Sequence, residues 1–208
     1  SDECVIIDPG EAAAAPCRAQ IAAWGRTPAA VLATHGHIDH IADAAELAGG
    51  YDIPLYIHPA DRPFLTDPAA ALTPELVAML RAYFPGPFRE PAAVRAYEID
   101  PSTGRGSLTA GGVDFELRHA PGHTPGSTLL VVRAAEPTVF SGDVVFAGSI
   151  GRTDFLVGDP AAMSRSLAAQ VLSLPDAARL LSGHGPATQV GWERLHNPYL
   201  QGVGGSLT

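Results

Sequence analysis

Apolar and polar residues follow one another along this chain in short segments, and their spacing switches between that of a half-buried strand and that of an amphipathic helix. Cys4–Ile7 is an apolar run closed by Asp8-Pro9-Gly10, a strand and its turn. Pro16 at a first helical position, Ile21 and Trp24 at helical spacing, and Gly25 as a stop predict a short helix. Ala29–Thr34 reads as a short buried strand, Ile38–Leu47 with Gly49-Gly50 behind it as a helix, and Pro54–Ile57 as another strand. Thr73 stands as cap before a helix over Pro74–Tyr83, with Leu76, Val77 and Leu80 on its apolar side. That helix lies in a proline-rich stretch, 63–91, expected to form a lid or insertion beside a site. Val94–Ile99 and Val113–His119 alternate in polarity as strands do, with a turn at Ala110-Gly111-Gly112. Thr128–Val132 and Thr138–Phe140 predict a hairpin across Arg133–Pro137. Asp159-Pro160 opens a helix reaching about Leu172, Ala178–Leu181 is a last buried strand, and Gly191–His196 a last helix. Helices and strands in alternation, with some strands in hairpins, predict a layered α/β protein with mixed sheets. With no linker, repeat or low-complexity run in sight, one domain over residues 1–208 is expected.

Composition narrows the class. A chain of 208 residues, 46% hydrophobic and 17% charged, has the balance of a soluble globular protein with a real core. A net charge of −9, with 13 Lys and Arg dispersed along the chain, argues against a nucleic-acid partner. No apolar run approaches the ~18 residues of a membrane span, so no membrane partner is expected. Cys4 and Cys17 have no metal-type spacing, which points to a reduced, cytoplasmic setting. The chain opens almost inside a strand and without Met, so native residues are expected to be missing upstream.

The chemistry concentrates in Thr34-His35-Gly36-His37-Ile38-Asp39-His40, four metal-ligand side chains within six residues at a junction of strand and helix. A chance H-x-H-x-D-H is expected in fewer than about one in a thousand chains of this composition. On an extended backbone, positions i, i+2 and i+4 share a side, so His35, His37 and Asp39 are expected to converge. Imidazole with carboxylate suits zinc, iron or manganese rather than calcium. Three later turns each carry one more ligand type among small residues: Pro121-Gly122-His123-Thr124, Ser141-Gly142-Asp143 and Ser182-Gly183-His184-Gly185. Together they supply seven ligands, enough for two ions. His58, His119 and His196 fall outside these motifs; His119, on the side of Val113, Phe115 and Leu117, reads as a hydrogen-bonded core residue.

In these motifs, taken in order over nearly the whole chain, the sequence resembles the metallo-β-lactamase superfamily in its glyoxalase II-like branch. The stretch Gly148-Ser149-Ile150-Gly151-Arg152-Thr153-Asp154 looks like that of small bacterial hydroxyacylglutathione hydrolase-like members. The resemblance implies an αβ/βα four-layer sandwich of two mixed sheets flanked by helices, with one or more N-terminal strands ahead of Val5 missing upstream. It implies one metal on His35, His37 and His123, a second on Asp39, His40 and His184, and Asp143 bridging both. It further implies two divalent ions, zinc first with iron or manganese as options, activating a water that Asp39 orients for attack on a small-molecule thioester or ester. Arg152 would meet a substrate carboxylate. A thioester suits a site without an evident general acid, because a thiolate leaving group has a pKa near ~8.5. S-lactoylglutathione or a similar glutathione conjugate is the first candidate.

Departures from the branch open alternatives. Only about two dozen residues follow His184, with Arg194 the sole cation among them, where the larger enzymes grip glutathione; Pro186 and Asp154 stand where those enzymes place aromatic residues. A mononuclear iron persulfide dioxygenase of the same superfamily, with a triad of His35, His123 and Asp143, fits the same motifs. A β-lactamase fits less well, since the zinc enzymes with strong activity commonly have Cys at the Asp143 position or lack the bridging Asp. A nuclease is disfavoured by the acidic balance, and a metal-binding scaffold by the intact ligand set.

Overall fold

The computed structural model describes residues 2–84 and 87–203. The chain runs β1 (Glu3–Ile7), α1 (Ala14–Trp24), β2 (Thr27–Leu32), α2 (Ile38–Ile41), α3 (Ala44–Tyr51) and β3 (Leu55–Ile57). Two turns of 3-10 helix, Arg62–Leu65 and Pro68–Ala71, lead to α4 (Pro74–Tyr83). Then follow β4 (Val94–Ala96), β5 (Ile99–Asp100), β6 (Arg105–Ala110), β7 (Val113–His119), β8 (Thr128–Val132), β9 (Thr138–Gly142), β10 (Val145–Phe146) and β11 (Ser149–Ile150). The chain finishes with α5 (Pro160–Ser166), β12 (Arg179–Ser182), β13 (Thr188–Gln189), α6 (Val190–His196) and α7 (Pro198–Gln201).

Two sheets carry the structure. The smaller, in the order β1-β2-β3-β4, is parallel in each described pairing. The larger, β13-β12-β9-β8-β7-β6-β5, is antiparallel except where β12 runs parallel to β9. Strand alternation divides the apolar residues into three cores. In β2, Ala30 and Leu32 meet Phe115, Leu117 and Leu130 between the sheets, while Val31 and the next residue, Ala33, face Ile21, Leu47 and Ala48 of the helices outside. In β8, Leu130 faces the other sheet and Leu129 and Val131 face Met163 and Leu167. The layers are therefore helix, sheet, sheet, helix. Leu117, Leu129 and Leu130 are fully buried, and truncating any of them to Ala would cost about 2–5 kcal/mol. Among the described residues no helix is long and apolar enough to cross a membrane.

Several boundaries differ from the sequence expectation. The helix expected over Ile38–Leu47 is two, broken at Ala42-Asp43, because the Asp43 backbone N–H donates to the Pro9 carbonyl and its carboxylate caps α1 at the Ala14 N–H, 2.8 Å. Gly49 and Gly50 lie inside α3, which ends instead at Asp52 in the left-handed region, φ 55°. Val94–Ile99 is divided between the two sheets, and Tyr97 carries the crossing, buried with its hydroxyl donating to the Ala33 carbonyl. The β6 strand has no apolar run to announce it and is held by its ladder to β7. The helix opened by Asp159, whose carboxylate accepts from Ala161 and Ala162 N–H, continues past Ser166 as a π-helical turn over Leu167–Val171.

Candidate metal centre

Where β2, β9 and β12 end and β7 turns into β8, the chain brings together all seven motif side chains. One ligand atom from each of His35, His37 and His123 lies within 4.8 Å of the others, and the same holds for Asp39, His40 and His184. Asp143 lies between the groups: Oδ1 is 3.3 Å from His40 Nε2, and Oδ2 is 3.5 Å from His123 Nε2 and 3.6 Å from His184 Nε2. His184 Nε2 is 3.1 Å from Asp39 Oδ2. The expected convergence of His35, His37 and Asp39 on an extended backbone is corrected here: Ile38–Ile41 is a helical turn, which swings Asp39 away to His40 and His184.

Glycines permit the close approach. Gly142 takes φ 47°, and a Cβ there would run into the Thr34 side chain; a Cβ on Gly183 would run into the His40 ring and the Asp143 carboxylate.

Partners on the far side of the rings set which nitrogens face inward. His123 Nδ1 lies 2.8 Å from the Arg152 carbonyl, an acceptor only, so Nδ1 carries the proton and Nε2 turns its lone pair inward. His40 Nδ1 likewise donates to Asp8 Oδ2 at 2.9 Å. Thr34 Oγ1 donates to Asp8 Oδ2 at 2.6 Å and is therefore free to accept from His35 Nδ1 at 3.1 Å. Asp8 also accepts the Thr34 N–H at 2.7 Å, so its oxygens are occupied in holding ligands rather than in ligating.

The buried polar atoms of the cluster fit a bound cation. His35 Nε2, His37 Nε2, His40 Nε2 and Asp143 Oδ1 are buried without a hydrogen-bond partner, and such groups are expensive to leave unpaired. Burial, and then the neighbouring His40, push His35 far below the usual imidazole range; burial and His123 bring His37 down to about 3. Burial also lowers His123, against the Arg152 carbonyl and Asp143. His40 goes the other way: burial opposes its charge, but the carboxylates of Asp143, 3.3 Å from Nε2, and of Asp8, bonded to Nδ1, outweigh that and raise it to about 10. Asp143 is lowered despite burial, chiefly by His40. A cluster of inward lone pairs with a carboxylate at its centre matches the donor chemistry of divalent zinc, iron or manganese.

Two carboxylates that the sequence did not single out hold the ligand loops. Asp61 is fully buried; its Oδ2 accepts from Gly36 N–H (2.9 Å) and Thr124 Oγ1 (2.6 Å), and its Oδ1 from Gly126 N–H (2.6 Å). Burial pushes its carboxyl up, against those three bonds. It has no local signature, since its partners lie 25 to 65 residues away. Asp8 could have been noticed as a polar residue closing a strand. His58 and His119 stand outside the cluster and stack at 4.1 Å, with His119 Nε2 donating to the Pro125 carbonyl behind the His123 turn. His196 stacks on Trp192, on the exposed side of α6.

A cavity of about 660 Å³ opens over His37, Asp39, Asp143 and His184. Leu76, Met79, Leu80 and Tyr83 of α4 form one wall, and Phe146 and Phe155 face them. Arg152 is at the rim, its guanidinium paired with Asp154 (2.6 and 2.7 Å) and resting 4.5 Å from the centroid of the Phe155 ring.

Comparison with known proteins agrees with this geometry. The family model described as metallo-beta-lactamase superfamily matches residues 1–184. The chain is 38% identical to the probable metallo-hydrolase YqgX of Bacillus subtilis over 97% of this chain and 89% of that one. It is 30% identical to the hydroxyacylglutathione hydrolase GloC of Haemophilus influenzae, over 82% and 74%. Among solved structures, BLEG-1 B3 metallo-beta-lactamase superposes with TM-score 0.80 at 35% identity, covering 96% of this chain and 89% of that one. TTHA1623 in a di-iron-bound form gives 0.75 at 36% identity, covering 94% and 88%. With a family model spanning most of its length and relatives above 30% identity along nearly all of it, this chain belongs to the metallo-beta-lactamase superfamily.

Proposed function

We propose that this chain is a binuclear metal-dependent hydrolase acting on a small-molecule thioester or a related ester. The observation that carries the proposal is the placement of Asp143 between two groups of ligand atoms, with its own Oδ1 and three buried ring nitrogens of His35, His37 and His40 lacking a hydrogen-bond partner. His35, His37 and His123 would hold one ion, Asp39, His40 and His184 the other, and Asp143 both. The names of YqgX and GloC support a hydrolase, and the di-iron form of TTHA1623 supports a two-ion site.

When bound, such a pair of ions lowers the pKa of a water toward about 7 and polarises a scissile carbonyl. The chain supplies the rest. Asp8, Thr34 and the Arg152 carbonyl fix the ring nitrogens of His40, His35 and His123 before any ligand arrives. Asp39, half exposed on the cavity floor, is the carboxylate that orients the attacking water and accepts its proton.

Metal equivalents per chain on protein purified without chelator, followed by a thioester and ester panel, test the proposal. Two ions with acyl turnover are expected. One iron with oxygen consumption on a persulfide would replace it with the dioxygenase. The likeness to BLEG-1 favours a second reading, β-lactam hydrolysis, so a chromogenic cephalosporin belongs in the panel.

A further inference from the structure

The cavity above the ligand cluster is selective in a way that its floor is not. Its α4 wall presents Leu76, Met79, Leu80 and Tyr83, and Phe146 and Phe155 lie opposite. Met79 and Tyr83 are 59% and 71% exposed, apolar surface left open among the described residues. Among the described residues the only Lys or Arg on the lining is Arg152, and Asp154 already holds it through two hydrogen bonds. A glutathione conjugate would bring two carboxylates to walls that offer them no free positive charge, in a chain of net charge −9.

Resting on the hydrolase reading above, we propose that the substrate is an uncharged, medium-chain acyl ester or thioester, its hydrocarbon tail lying between α4 and Phe155 and its carbonyl over Asp143. The tail is the specificity element. Each methylene it buries leaves water, which strengthens binding by a constant factor until the cavity is filled. The reaction consumes one water: its oxygen forms the new acyl C–O bond as the C–S or C–O bond to the leaving group breaks. The products are a carboxylate, a thiol or alcohol, and one proton. Leaving groups with charged carboxylates are disfavoured by the same walls.

The test uses the metal-loaded protein in two measurements. First, kcat/KM is read for acetyl, butanoyl, hexanoyl and octanoyl thioesters of one small neutral thiol, beside S-lactoylglutathione. The expected rise is about two- to four-fold per methylene, with S-lactoylglutathione below the hexanoyl compound. Second, calorimetric titration with straight-chain methyl ketones, which are not hydrolysed, should show the same gain in affinity with length. Leu76→Glu should flatten both series, and Tyr83→Ser, at an exposed position that the fold tolerates, should do so to a lesser degree. Turnover that is flat with chain length, or fastest on S-lactoylglutathione, overturns the proposal and leaves the hydrolase intact. Ketone affinity that rises with length without turnover of any acyl compound overturns the hydrolase and keeps the apolar site. Ketones that bind with no length dependence, or not at all, refute the apolar site whatever the turnover.

Discussion

Asp61 offers the sharpest test of how this site is held. Its carboxylate receives three donors from two ligand-bearing loops, at 2.9, 2.6 and 2.6 Å, in a fully buried position. In Asp61→Asn the side-chain volume is kept, but the amide offers one acceptor oxygen. If that oxygen keeps Gly36 and Thr124, the new NH2 faces the Gly126 N–H, donor against donor. An unsatisfied buried donor costs about 1–3 kcal/mol, and the remaining bonds lose their charge assistance. Relief from burying a charge offsets part of this, so a net loss of about 1–3 kcal/mol is expected. In a chain of this length that lowers Tm by roughly 3–10 °C. Asp61→Ala strands the Gly36 and Gly126 N–H groups, leaving the Thr124 hydroxyl to Ser127 Oγ at 2.8 Å, and should cost about 2–6 kcal/mol. Calorimetry on chelator-treated protein reads the stability. Competition with a chromophoric chelator reads metal affinity, expected to fall about ten-fold or more, because the Gly36 and Thr124 loops place His35, His37 and His123. A Tm within a degree or so of the parent and an unchanged affinity in Asp61→Asn would refute the assignment.

Three further predictions follow from the same geometry. Asp143→Ala should lose both metal equivalents together with activity, measured by plasma mass spectrometry; retention of one full equivalent would contradict its position between the groups. Arg152→Ala should change KM for neutral acyl substrates less than about two-fold, because Asp154 already neutralises the guanidinium; a large rise confined to anionic substrates would show that the ion pair opens for them. His58 is held at about 4, below its usual 6.5, by burial and then by the stacked His119, and its Nδ1 accepts the Ala60 N–H. Below about pH 6.5 the unfolded chain takes up that proton first, so this contribution is complete above pH 6.5 and is lost as pH falls towards 4. The Tm of the parent should therefore fall more steeply over that window than that of His58→Phe, and equal slopes would show that His58 does not titrate as described.

Much of this protein is decided within a few residues of chain. The T-H-x-H-x-D-H loop and the three glycine turns name their side chains because each glycine relieves a local steric limit and each histidine or aspartate stands beside a strand end. Strand pattern is local too: β7 and α4 have the ends that alternation and capping predict. What needed the tertiary structure is whatever depends on partners far along the chain. The break at Asp43 arises from the α1 cap, the splitting of Val94–Ile99 from a crossing between sheets, and β6 from its neighbour in the ladder. Asp8 and Asp61 hold the ligands only because folding delivers donors to them, and Asp39 joins His184 across 145 residues because Ile38–Ile41 coils. The pairing of Arg152 with Asp154 was two residues away and still invisible, since sequence gives the distance along the chain but not the direction of a side chain. The amino-acid sequence thus determined which groups are the candidate ligands, through short-range backbone constraints. Which of them meet, in what protonation state and under what walls, was decided by packing and hydrogen bonds that exist only once the two sheets have closed on each other.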